Sequence, residues 1–90
     1  MSEEYQLEIL PEAKDDLASI DQTQAKQIAK KIRWLAKNAK DLPHMAMKGE
    51  DWAGLFRLRV GDYRVIYSLD HENSILTVTE IGHRKDVYDK

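Results

Sequence analysis

Leu55-Phe56-Arg57-Leu58-Arg59-Val60-Gly61-Asp62-Tyr63-Arg64-Val65-Ile66-Tyr67 reads as a β-hairpin. Residues alternate with period two on both sides of Gly61-Asp62, the signature of two strands joined by a two-residue turn with glycine at the first central position. Counting outward from the turn gives the register. Val60 faces Tyr63, Arg59 faces Arg64, Leu58 faces Val65, Arg57 faces Ile66 and Phe56 faces Tyr67. One face of the hairpin therefore carries Phe56, Leu58, Val60, Tyr63, Val65 and Tyr67, and the other carries Arg57, Arg59 and Arg64.

C-terminal to this hairpin, residues Ser74 to Ile81 read as a third antiparallel strand after a loop Asp70-His71-Glu72-Asn73. That loop sets Ser74 across from Leu69, Leu76 across from Tyr67 and Val78 across from Val65. Thr79 then lies across from Arg64, and the chain leaves Ile81 beside the first turn. Gly82-His83-Arg84-Lys85 follow, so a fourth arginine is expected near the first three.

N-terminal to the hairpin, Glu4 to Ile9 alternate as a strand with Tyr5, Leu7 and Ile9 on one face. Pro11 suits the first position of a helix whose apolar stripe is Ala13, Leu17 and Ile20. Asp21 is placed to cap a second helix from about Gln22 to Ala39. Its stripe is Ala25, Ile28, Ala29, Ile32, Leu35, Ala36 and Ala39, and its lysines fall on the solvent side. Two helices this short cannot bury both stripes on each other, so their shared apolar side must cover a sheet. The predicted fold is α+β: an N-terminal strand, then a two-helix hairpin packed on a mainly antiparallel four-stranded sheet, then a short C-terminal tail or helix. Residues 1–90 form a single domain.

Composition narrows the function classes. Ninety residues with 42% hydrophobic and 33% charged side chains suit one small core rather than two domains or a disordered chain. The absence of cysteine excludes disulfides, thiolate zinc sites and thiol nucleophiles. The acidic start Met1-Ser2-Glu3-Glu4 is unlike a signal peptide, and no apolar run approaches the ~20 residues that span a bilayer, so a cytoplasmic protein without membrane contact is expected. His44, His71 and His83 lack metal-ligand spacing, and there is no GxSxG elbow or glycine-rich phosphate loop. Trp34 and Trp52 read as core or partner contacts, and Met45-Ala46-Met47 as an edge strand or an exposed apolar contact.

The net charge of −2 argues against a general polyanion binder. The basic residues are unevenly distributed by type, however. Residues 1–43 hold six lysines and one arginine, whereas residues 44–90 hold three lysines and four arginines. Arg59 against Arg64 is a like-charge pair costing up to about 1 kcal/mol. Such a face is either a solvated surface neutralised by Glu50, Asp51, Asp62 or Glu80, or an anion site in which fixed guanidinium groups converge on a phosphate.

Taken together, Met47-Lys48-Gly49, the Leu55–Tyr67 block and Ile81-Gly82-His83-Arg84-Lys85-Asp86-Val87-Tyr88 resemble the RelE/ParE superfamily of toxins, with the nearer likeness to the RelE branch. The resemblance covers essentially the whole chain. It implies a type II toxin that enters the ribosomal A site and cuts mRNA there, using no metal or cofactor. The reaction implied is attack of a 2′-hydroxyl on the adjacent phosphate. By position it assigns Arg57, Arg59, Arg64, Arg84 and Tyr88 to catalysis. RelE members often carry lysines where this chain has Arg57 and Arg59, so the general base falls to His83, Lys85, Lys48 or Tyr88, with His83 favoured by its pKa near neutrality. Lys48 and Lys85 are also expected to contact RNA. The implied partners are a cognate antitoxin, the ribosome and its mRNA, and operator DNA only through the toxin–antitoxin complex. The rival readings are a ParE-like gyrase inhibitor that cuts nothing and an inactive partner-binding module.

Overall fold

The computed structural model describes residues 4–47, 49 and 53–83. Strand β1 (Gln6–Ile9) leads into helices α1 (Pro11–Ala18) and α2 (Gln22–Asn38). Strands β2 (Met45–Ala46), β3 (Phe56–Val60), β4 (Tyr63–Asp70) and β5 (Ile75–His83) follow. They form one sheet in the order β1-β5-β4-β3-β2, antiparallel except where β1 runs parallel to β5. The α+β class and element order are as the sequence predicts, but the sheet has five strands rather than four. The addition is β2, which pairs Met45 with Arg57 and Ala46 with Phe56. The expected C-terminal tail or helix, and Trp52, lie outside the described residues.

The helices form for the reasons their sequences suggest. Pro11 opens α1, and the Asp21 carboxylate accepts a hydrogen bond from the Thr23 amide at 3.2 Å, satisfying one of the donors left over at the start of α2. Ile28, Ile32, Leu35, Ala36 and Ala39 are buried against Tyr5, Val65, Tyr67, Leu76, Val78 and Ile81, a single apolar layer between helices and sheet. Phe56, Leu58, Val60 and Tyr63 are half-buried at its margin.

The β3–β4 register is the predicted one throughout, Arg59 opposite Arg64 included. Gly61 supports it with φ +60°, a conformation its missing side chain makes inexpensive. The β4–β5 register differs. Leu69 faces Leu76 and Tyr67 faces Val78, because the four-residue loop begins one residue later, at His71, and closes through Ser74 at φ 56°. A bulge then shifts the pairing between Ile66 and Tyr67. Thr79 is the extra residue, and its Oγ1 donates to the Ile66 carbonyl at 3.2 Å. Beyond the bulge Glu80 faces Ile66, Ile81 faces Val65, Gly82 faces Arg64 and His83 faces Tyr63. The residue opposite Arg64 is therefore Gly82, not Thr79.

The bulge inverts the side-chain phase of the last four residues of β5. It carries Ile81 into the core and leaves its amide on an edge that β1 does not reach. The Asp16 carboxylate of α1 accepts from that amide at 3.2 Å.

Candidate functional site

Pairing places the helix-free face of β2–β5 in two cross-strand rows. One reads Met45, Arg57, Ile66, Glu80; the next reads Arg59, Arg64, Gly82. Met45, Arg57, Arg59 and Arg64 line a single open cavity of about 260 Å³. Gly82 contributes no side chain beside Arg64. Arg59 turns back on its own hairpin, its Nε donating to the Gly61 carbonyl at 3.3 Å. Ile66 is 1% exposed although it faces away from the helices. An apolar floor between charged neighbours lowers the local dielectric and strengthens each guanidinium's pull on an anion.

The sequence-predicted residues separate into three groups. Arg57, Arg59 and Arg64 are brought together. His83 is not with them: it stands on the helix side of the strand, its ring edge-on to that of Tyr63 with centroids 5.7 Å apart. The cause is the Thr79 bulge, since an unbroken strand would have set His83 on the arginine face. Arg84, Lys85, Tyr88 and Lys48 lie outside the described residues.

Sequence reading missed two members of this face. Met45 joins it through a pairing that nine intervening residues of sequence conceal. Glu80 joins it because of the bulge, and here a signal existed: Leu76 and Val78 are two apart but Val78 and Ile81 are three apart, a break in the strand period.

The edge strand is anchored from beneath. His44 Nε2 lies 2.7 Å from the Ala39 carbonyl, to which it must donate, so Nδ1 accepts from the Tyr67 hydroxyl at 2.6 Å when the ring is neutral. Phe56 packs on both rings. The residue before Met45 is thus fixed to the core and to the end of α2. Burial of Tyr67 pushes its pKa up to about 12. The folded state therefore keeps a proton that the unfolded chain loses above pH 10. Stability is expected to fall as pH rises from about 10 towards 12, and Tyr67→Phe should flatten that loss in denaturant titrations.

No group of three or more His, Asp or Glu side chains placed to hold a metal occurs among the described residues. No helix among them is long and apolar enough to cross a membrane.

Comparison with known proteins gives the family. The profile of the family described as the ParE toxin of type II toxin–antitoxin systems matches residues 7–88. Toxin RelG of Mycobacterium tuberculosis is 39% identical over 36 residues, which is 40% of this chain and 41% of RelG. The match thus spans about two fifths of that relative's length. The RelBE2 toxin–antitoxin complex of M. tuberculosis superposes with TM-score 0.80 and 22% identity over 90% of this chain and 92% of the other. The isolated RelE toxin of E. coli does so with TM-score 0.72 and 19% identity, over 94% and 92%. At these identities the structures establish a shared fold, and the profile, spanning nearly the whole chain, establishes descent: this chain belongs to the ParE toxin family of type II toxin–antitoxin systems, within the RelE/ParE superfamily.

Proposed function

We propose that the chain is a ribosome-dependent endoribonuclease that cuts mRNA in the A site and so inhibits translation in the cytoplasm. The observation that supports this reading is the convergence of Arg57, Arg59 and Arg64 on one cavity of a chain whose net charge is negative. In the proposed reaction a 2′-oxygen attacks the adjacent phosphorus while its proton passes to a base. The bond to the 5′-oxygen breaks as that oxygen gains a proton, leaving a 2′,3′-cyclic phosphate and a 5′-hydroxyl. Negative charge peaks in the pentacoordinate state, where guanidinium groups already in place act most strongly. Arginine stays protonated near neutral pH, so these three residues stabilise charge and do not accept the proton. Arg84 and Tyr88 complete the proposed machinery, with Lys48 and Lys85 on flanking phosphates. The proton acceptor is sought among Lys48, Lys85 and Tyr88, because the register sets His83 on the opposite face.

End-group analysis of mRNA recovered from programmed ribosomes tests the chemistry. Cyclic phosphate and 5′-hydroxyl termini are expected, and a 5′-phosphate product would contradict it. The ParE profile match favours a second reading, inhibition of DNA gyrase without strand scission. It predicts intact mRNA and blocked supercoiling.

We further propose a cognate antitoxin as the protein partner, with operator DNA bound only by the pair. RelBE2 of M. tuberculosis is itself a toxin–antitoxin complex. A groove of about 300 Å³ between α2 and β3, lined by Gln27, Lys30, Lys31, Trp34 and Val60, suits an amphipathic segment. Trp34 is 41% exposed there, with Lys31 Nζ held 3.9 Å from its ring centroid. Buried aromatic anchors dominate interfaces, so Trp34→Ala is expected to weaken antitoxin binding about thirtyfold in calorimetric titration.

A further inference from the structure

We propose that Met45 is a specificity-determining residue of the arginine cavity, packing its thioether on the base of the nucleotide beside the scissile phosphate. This rests on the nuclease reading and extends it from phosphate to base. At 58% exposure Met45 is more open to solvent than Leu10 or Trp34, each 41% exposed. Its position is fixed rather than loop-like: it pairs with Arg57, and the preceding His44 is held by the Ala39 carbonyl and the Tyr67 hydroxyl. Among the described residues it is also the apolar member of a cavity whose other lining residues are Arg57, Arg59 and Arg64.

A nucleotide has the complementary composition, an anionic phosphate beside a flat polarisable ring. Guanidinium groups hold the first, and a thioether makes favourable contact with the second. Met45 has no hydrogen-bond donor with which to read base edges. Its contact grades with stacking area and favours a purine over a pyrimidine at that nucleotide.

The test compares wild type, Met45→Ala and Met45→Leu on ribosomes carrying mRNA with purine, pyrimidine or no base beside the cut. Met45→Ala is expected to raise KM about tenfold on the purine substrate with kcat within about twofold, and to lose the purine preference. Met45→Leu should restore most of the affinity. On the abasic substrate wild type and Met45→Ala should be indistinguishable. An alanine penalty that persists without the base overturns the proposal, as does Met45→Ala behaving like wild type on every substrate. Wild type that cuts none of them overturns the nuclease reading as well. Thermal unfolding of each variant confirms that an exposed position has been changed without loss of fold.

Discussion

Arg64→Ala is expected to lower the rate of mRNA cleavage on the ribosome by about a hundred- to a thousandfold, the range seen when one preorganised donor to a developing oxyanion is removed. Arg64 lies on β4 and is paired on both sides, whereas Arg59 is paired with β4 alone, so the Arg64 backbone is held more firmly than that of Arg59. It faces Arg59 across β3 and the side-chain-free Gly82 across β5. Removing it also relieves the like-charge pairing with Arg59. Arg64→Lys keeps the charge but loses the planar fork, and should recover only part of the rate. A variant that cuts at the wild-type rate would remove Arg64 from the site.

Leu76→Ala is expected to cost about 2–5 kcal/mol of stability, measured by denaturant unfolding. Leu76 is wholly buried, paired with Leu7 of β1 on one side and Leu69 of β4 on the other. A small domain has roughly 5–15 kcal/mol in total, so this one truncation threatens the whole fold. The cavity it leaves sits where the parallel strand β1 joins the sheet, beneath the helix layer. A cost below about 1 kcal/mol would mean that the helix layer repacks far more freely than its burial suggests.

The parts of the fold legible in the sequence were those set by short-range geometry. A two-residue turn leaves one register, so Gly61-Asp62 alone fixed every partner from Phe56–Tyr67 to Val60–Tyr63. The period of α2 and the cap at Asp21 were equally local. What escaped depended on contacts between distant segments. The pairing of Met45 with Arg57 is decided by how the chain between them closes, which no local pattern records. The Thr79 bulge depends on the core needing Ile81 more than the strand needs its period. One inserted residue was enough to move His83 off the arginine face and bring Glu80 onto it. The arginine cluster itself was legible because it followed from the hairpin alone, and its apolar rim was not.

Ribosome-dependent cleavage is tested most directly by a toeprint of purified protein on programmed ribosomes, with Arg84→Ala and Tyr88→Ala beside wild type and free mRNA as the control. Scission within the A-site codon that requires the ribosome and collapses in both variants is expected. Folded wild-type protein that leaves ribosome-bound mRNA whole, or that cuts free mRNA equally well, would contradict ribosome-dependent cleavage.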